Sequence, residues 1–264
     1  MINSRQIAVI KKDIKYVLSN KTMLTGLIVV PLVFTVVLPL IFILVIHFAP
    51  DQMDDIEQLI EILPEHMIFD DIGRTFLVFL LDYTMPIFFV LIPVLVSTIM
   101  AASSFVGEKE KRTLETLLYS PLSLAQIYQA KVWASFFLST VVTFASFIIM
   151  IIVVETSIFL TSGSMILPGI NWLFTMLVIS PTVSLLAINL IVIGSAKAKT
   201  MEEAQQRSII FILPLIVMIV GQFTGVMLIN AWILLVAGVI FGAASYFMMK
   251  KSMRSFTYEK LLKY

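Results

Sequence analysis

Residues 132–154 read VWASFFLSTVVTFASFIIMIIVV, twenty-three positions without a charged side chain. A helix needs roughly 20 mostly apolar residues to cross a bilayer core, where the backbone must satisfy its own hydrogen bonds. The run does not alternate. A barrel strand alternates apolar and polar positions over about ten residues, so a β-barrel is excluded. The stretch reads as a spanning helix, and the rest of the chain repeats the pattern. Comparable runs cover Thr22–Phe48, Tyr83–Val106 and Leu173–Ile193. The apolar stretch Ile209–Met249 is too long for one helix and divides near Ile229–Asn230. The expectation is an all-α integral membrane protein with six transmembrane helices.

Composition agrees. Of 264 residues, 59% are hydrophobic and 13% charged, and mean hydropathy is +1.02. That much apolar surface cannot be hidden inside a soluble domain of this length. With no cysteine, there is no disulfide, thiolate nucleophile or cysteine metal site. The two histidines, His47 and His66, leave little material for metal or acid–base chemistry. The basic N-terminal segment is followed by an apolar run too long for a cleavable signal peptide.

Charge sets the orientation. Segments 1–21, 107–131, 194–208 and 250–264 hold 17 of the 18 Lys and Arg residues, and only Arg74 falls on the opposite side. Of the 17 acidic residues, 10 lie with Arg74. The formal +1 of the whole chain therefore resolves into +10 on one side and −9 on the other. Basic loops stay in the cytoplasm, so both termini are expected inside.

The connecting segments differ in information. In 1–21, Ile7, Ile10, Ile14 and Val17 recur at helical spacing among Arg5, Lys11, Lys12, Lys15 and Lys21. That pattern suits an interfacial helix, with a plain basic flank as the simpler reading. The first outer loop, 49–82, holds nine acidic residues. Met53, Ile56, Leu59, Ile60 and Leu63 give it a short amphipathic helix up to Pro64. It lacks the spacing and glycine of a calcium loop. Thr75–Leu81 is apolar but short, and reads as a dip into the interface before Asp82. The other outer loops are too short for a folded domain.

The inner loop 107–131 is the most patterned. It runs Phe105-Val106-Gly107-Glu108-Lys109-Glu110-Lys111-Arg112-Thr113-Leu114-Glu115-Thr116-Leu117-Leu118-Tyr119-Ser120-Pro121-Leu122-Ser123. A charged turn precedes a short helix with Leu114, Leu117 and Leu118 on one face. Pro121 forces Ser120 out of the helical region and ends it. A second short helix is expected from Ser123, a good N-cap. Such a loop fits a rigid foot presented to a partner: charges that pair across an interface, and an apolar anchor that buries.

This stretch, with Lys131 opening the third span, resembles the cytoplasmic loop of type-2 ABC transporter permeases. Phe105, Glu108-Lys109-Glu110, Thr113-Leu114-Glu115, Leu117-Leu118 and Ser120-Pro121-Leu122-Ser123 carry the likeness. Arg112 stands where the family often has glycine. Ser195–Gln205 is similar to the loop between the fourth and fifth helices in the sodium- and drug-exporting branches. Phe256-Thr257-Tyr258-Glu259-Lys260-Leu261-Leu262 is similar to the family's C-terminus. The large outer domain of many relatives has no counterpart in this sequence. The resemblance implies a single permease domain over 1–264. It implies a cytoplasmic coupling helix docking on an ABC ATPase subunit, and a second permease, identical or different, completing the transporter. It also implies outward movement of substrate. Glu108, Lys109, Glu110, Arg112, Thr113, Leu114, Glu115, Leu117, Leu118 and Pro121 would form the ATPase interface. The sequence has no Gly-x-x-x-x-Gly-Lys-(Ser/Thr) loop, so ATP and Mg are expected on the partner rather than on this chain, which is not itself an enzyme. No nucleic-acid partner is implied.

Inside the spans, Thr143, Asn189 and Gln222 are the candidate substrate-path residues. Ser135/Ser139/Thr143, Ser97/Ala101/Ser104, Gly221/Gly225 and Gly238/Gly242 read as close-packing surfaces. Pro31, Pro39, Pro86, Pro93, Pro181 and Pro214 mark candidate kinks. The Met-rich, weakly charged interior hints at an amphipathic or hydrophobic substrate. Glu202-Glu203-x-x-x-Arg207 fits a motif of intramembrane prenyl-protein proteases, but no histidine follows it, so that chemistry cannot be assembled. No Lys or Arg stands at mid-membrane depth and no inverted repeat is evident, which weighs against a secondary transporter. A membrane scaffold or immunity protein is the remaining alternative.

Overall fold

The computed structural model describes residues 3–48, 63, 68–69, 71–111, 113, 120–195, 198–206, 209–224 and 230–255. Eight helices carry these residues: α1 (Ser4–Ser19), α2 (Lys21–Phe48), α3 (Ile72–Glu110), α4 (Leu124–Ser162), α5 (Ile170–Ser195), α6 (Met201–Gln206), α7 (Ile209–Phe223) and α8 (Ala231–Ser255). Among the described residues there is no strand. The all-α membrane fold is as the hydropathy predicts. α2, α3, α4, α5 and α8 are long and apolar enough to cross a membrane. α7 is equally apolar, but its 15 residues fall short of the roughly 20 a bilayer needs.

Polar residues set where the helices start and stop. Asn20 caps α2 by accepting from the Met23 N–H at 3.2 Å, and Asp71 caps α3 through the Gly73 N–H at 3.0 Å. Ser123 and Gln126 form a reciprocal capping box at the start of α4. Gly163, with φ +64°, ends α4 in the left-handed conformation that glycine adopts without cost.

Two boundaries differ from expectation. Thr75–Leu81 is no separate dip: α3 begins at Ile72 and runs through Asp82. Asp82 truncates the hydropathy window, yet its carboxylate is satisfied by the Gly169 N–H at 2.7 Å, so it does not end the helix. Likewise no separate short helix follows Ser123, because α4 is one helix of 39 residues.

α3 is the centre of the molecule. Its most apolar window is 78% buried inside the protein, against 17% for α8 and 22% for α2. α4 and α5 pack on α3, and α8 packs on α5. Phe89, Phe147 and Trp172 join α3, α4 and α5 at centroid distances of 5.3–6.0 Å. Phe137, Val141, Phe144, Ile148 and Ile152 form an exposed stripe along α4 at 3–4 spacing, an apolar face left for lipid. The Gly238/Gly242 pattern packs closely as read: a Cβ on Gly238 would strike Val178, and one on Gly242 would sit 3.3 Å from Thr182.

Three of the six prolines reshape their helices. π-helical turns occupy Val33–Val37, Leu80–Thr84 and Thr175–Ile179, each ending two residues before Pro39, Pro86 or Pro181. Proline donates no N–H and crowds the carbonyl four residues back, and a wider turn relieves both. The carbonyl that Pro86 leaves without its helical donor, on Asp82, accepts from Asn171 Nδ2 at 3.0 Å instead. Trp172 Nε1 donates to the neighbouring Leu81 carbonyl at 2.9 Å. α5 is thereby fastened to α3 at one end of the bundle. At the other end, Phe105, Tyr128, Ile191, Ala198 and Ala204 share one cluster with Met249 and Met253. Segments that the charge pattern puts on one side are thus gathered at one end.

Candidate functional site

The basic end is built around four charges. α1 supplies Lys12 and Asp13, the last turn of α3 supplies Glu108, and the second turn of α4 supplies Lys131. Lys131 is 1% exposed, Asp13 5% and Glu108 9%. Lys131 Nζ lies 2.8 Å from Glu108 Oε2 and 3.6 Å from Asp13 Oδ2. It donates to the Ser104 carbonyl, and its ammonium stands 5.6 Å from the Phe105 ring centroid. Ser104 Oγ donates to Asp13 Oδ2 at 2.5 Å. Lys12 closes the ring, paired with Glu108 Oε1 and 3.4 Å from Asp13. Two positive and two negative groups balance. Buried charge survives because every member meets an opposite one. Burial disfavours the Lys12 ammonium, but its bond to Glu108 and the charges of Asp13 and Glu108 outweigh that and hold its pKa above the ordinary lysine value.

Around the ring are three more ties. Lys111 donates to the Tyr16 hydroxyl and sits 4.0 Å from its ring centroid. Gln6 Nε2 donates to the Gln126 carbonyl at 3.1 Å. Glu110 accepts from the Met201 N–H at 3.0 Å, binding α6 to the end of α3. A cavity of about 460 Å3 opens here, lined by Lys12, Asp13, Tyr16, Ser104, Glu108 and Lys111 among others.

α1 is helical and amphipathic as its spacing predicts, but it is rolled. Its buried face is Gln6, Val9, Asp13 and Val17, while Ile7 and Leu18 are exposed. Apolar residues are left free for lipid, and the face with the single acid turns to the protein. Leu122 buries against Val9, Ile127 and Ala130 and is an apolar tie between the described part of the loop and α1.

Of the predicted interface residues, Glu108 is buried in the ring, and Lys109 is half-buried. Glu110, Thr113 and Pro121 are exposed. The Thr113 N–H returns to the Glu108 carbonyl at 2.9 Å, so the chain folds back as it leaves α3. Arg112, Leu114, Glu115, Leu117 and Leu118 lie outside the described residues, as does most of the amphipathic segment before Pro64. Asp13, Lys12, Tyr16 and Ser104 were absent from the sequence-based set, and Lys131 entered it only as a family marker. The one available signal is that Asp13 is the sole acid among the first 21 residues, in helical register with Val9 and Val17.

The three substrate-path candidates are not brought together. Thr143 donates to the Ser139 carbonyl at 2.7 Å, an ordinary back-bond to its own helix. Asn189 is fully satisfied. Its Nδ2 meets the Leu185 and Ser245 carbonyls and Ser245 Oγ at 2.9–3.1 Å, and its Oδ1 accepts from Tyr128 at 3.3 Å. That ties α4, α5 and α8 at the basic end. Tyr128 precedes Thr143 by fifteen residues, about 22 Å along α4. Gln222 is buried, and neither of its amide atoms has a partner. The acidic run on α6 behaves as a helix cap: Thr200 Oγ1 accepts from the Glu203 N–H at 3.2 Å, and Glu203 accepts from the Lys199 N–H at 2.8 Å.

The family model described as ABC-2 family transporter protein matches residues 7–233, from the first turn of α1 into α8. The chain belongs to the ABC-2 transporter family. It is a permease, the multi-pass membrane component of an ABC transporter, and the family implies association with an ABC ATPase. No curated protein matches the permease sequence. The match includes α1 and the 107–131 loop, so the charged end is part of the family unit.

Proposed function

We propose that this permease is one half of an ATP-driven exporter that moves its substrate outward by alternating access. A second permease, identical or different, would complete the pathway. A separate ATPase, carrying ATP and Mg, would dock on the loop around 107–123. On this reading the basic end is cytoplasmic, α7 completes a sixth crossing, and both termini lie inside.

The observation that carries the reading is the four-charge ring, in which Asp13, Glu108 and Lys131 are buried. A coupling loop must pass force from a soluble motor to membrane helices without bending. The ring makes α1, the end of α3 and the start of α4 one body on either side of the loop. Tyr16–Lys111 and Gln6–Gln126 extend the same joint. A push on the loop then moves three helices together.

The test is copurification of the ATPase followed by ATP hydrolysis in lipid. Reversing the charge of Arg112 or of Glu115, or introducing Leu118→Asp, is expected to abolish ATPase association or stimulation while the permease remains in the membrane. A normally active ATPase recovered with all three variants refutes the docking assignment.

A further inference from the structure

A second feature lies away from the charged end. α3, α5, α7 and α8 enclose an apolar cavity of about 280 Å3, just under the roughly 300–1,000 Å3 typical of small-molecule pockets. Ile87, Val94, Ile179, Val183, Met218 and Phe241 form its wall. Among the described residues, no polar side chain lines it. Ile210 and Ile233, on its rim, are exposed, so the cavity is open to the apolar phase around the bundle.

Polar groups stand at one end of it. Thr84 is one turn outward of Ile87 on α3, Thr175 one turn outward of Ile179 on α5, and Gln222 one turn outward of Met218 on α7. Each is fully buried, at 0% exposure. None of their four side-chain polar atoms has a hydrogen-bond partner. This is unusual, since a helical threonine normally donates to the carbonyl one turn back, as Thr35, Thr140 and Thr182 do here. Thr84 ends one π-helical turn and Thr175 begins another, and neither makes that back-bond.

Thr84 and Thr175 are at one level. α3 and α5 run parallel from the Asn171–Asp82 bond. Thr84 is two residues inward of it and Thr175 four, a difference of about 3 Å in height. Residues Met85–Phe89 of α3 pack against α7, the helix that carries Gln222 one turn from the cavity-lining Met218. A buried polar atom without a partner costs about 1–3 kcal/mol, so three such side chains at the end of one apolar cavity mark a place where a partner belongs.

We propose that this cavity binds a small neutral amphipathic molecule. Its apolar part fills the space between Ile87, Ile179 and Met218, and a hydroxyl, amide or ester bonds to Gln222, Thr84 and Thr175. The head group is uncharged. Arg74, the nearest cation on α3, is ten residues outward of Thr84, about 15 Å along the helix, so it does not stand by to pair an anion. Asp82, the nearest acid on α3, is already engaged by the Gly169 N–H. The site stands on packing and polar satisfaction alone and does not depend on the ATPase assignment.

The test uses the full chain in nanodiscs, without ATPase, and a decan-1-ol bearing a photoreactive diazirine on its alkyl chain. Labels are mapped by mass spectrometry and competed with decan-1-ol, decane or decanoate. The expected result is saturable labelling of Met218, Ile179 or Phe241, displaced by decan-1-ol at a concentration at least tenfold below that of decane or decanoate. Gln222→Leu removes that tenfold preference. It breaks no protein hydrogen bond, so the variant stays folded, and Thr175→Val serves as an independent second variant. Unsaturable labelling of lipid-facing residues such as Val217 and Val239 overturns the site. Equal displacement by decane also overturns it, reducing the cavity to an acyl groove. So does labelling seen in single copies but lost in pairs, which makes the rim a contact between permeases. Any of these leaves the ATPase reading untouched, and loss of ATPase docking leaves this site untouched.

Discussion

Lys131→Met is the sharpest test of the charged end. In the native protein the Lys131 ammonium lies 2.8 Å from Glu108 and 3.6 Å from Asp13. At an effective dielectric constant of about 20 these distances give gross attractions of about 6 and 5 kcal/mol. Taking the ammonium out of water offsets several kcal/mol of that. Methionine fills nearly the same volume, so packing changes little. It leaves two buried carboxylates against one half-exposed ammonium, Lys12. The expected loss is about 3–5 kcal/mol, the cost of breaking a buried pair from one side. Reversible unfolding in mixed micelles with increasing SDS would measure it. Glu108→Gln alone should cost a similar amount. The double variant keeps one charge of each sign, Lys12 with Asp13, and should lose well under the sum of the two, with a coupling of at least 1.5 kcal/mol. A loss below about 1 kcal/mol for Lys131→Met, or strict additivity in the double variant, would refute the claim that the ring is a single electrostatic unit.

Other positions give independent checks. Gly238→Ala should cost about 1–3 kcal/mol in the same unfolding assay, because its Cβ falls on Val178 and pushes α8 off α5. Asn189→Leu leaves the Tyr128 hydroxyl without its acceptor and should cost about 1–3 kcal/mol, while Asn189→Asp is expected to be worse. Ser123→Ala removes the cap of α4 and should cost about 1 kcal/mol, with slower exchange protection lost first at Gln126. Lys12 gives a pH signature. Its pKa is raised in the fold, so its contribution is fully present below the unfolded value of 10.5 and is lost as pH rises through the higher folded value. The stability difference between wild type and Lys12→Met should therefore be flat from about pH 6 to 9 and shrink only in strong alkali.

The fold was legible where the physics is local. A run such as 132–154 has no alternative outside a bilayer, and the asymmetry of Lys and Arg sorts the loops without a structure. The boundaries were legible only in part. Asp82 and the polar residues 124–131 end a hydropathy window but not a helix, because a helix ends when its hydrogen bonds end. In both places a distant residue or a capping box keeps them intact. Prolines announced kinks. That Pro39, Pro86 and Pro181 choose a π-helical turn while Pro31 and Pro214 do not depends on neighbours, as with Asn171 filling the carbonyl left by Pro86.

The functional residues divide along the same line. The 107–123 loop carries a local pattern and could be recognised. The ring beneath it could not, because its α1 members lie 91–118 positions from the α3 and α4 residues they contact, and its charges sum to zero. Net charge counts Lys131 as one more inward-facing cation, and helical spacing counts Asp13 as a break in an apolar stripe. Each looks like noise alone. Together they explain why α1 turns its one acid inward while Ile7 and Leu18 stay exposed. The same reasoning separates Asn189 from Gln222, two buried amides that are equal as sequence. Asn189 spends its polar atoms on three helices and is structural. Gln222 spends none, and the buried hydroxyls of Thr84 and Thr175 are equally unspent. These three unspent groups, each one turn from the wall of one apolar cavity, are what carries the proposal of a bound amphipathic molecule.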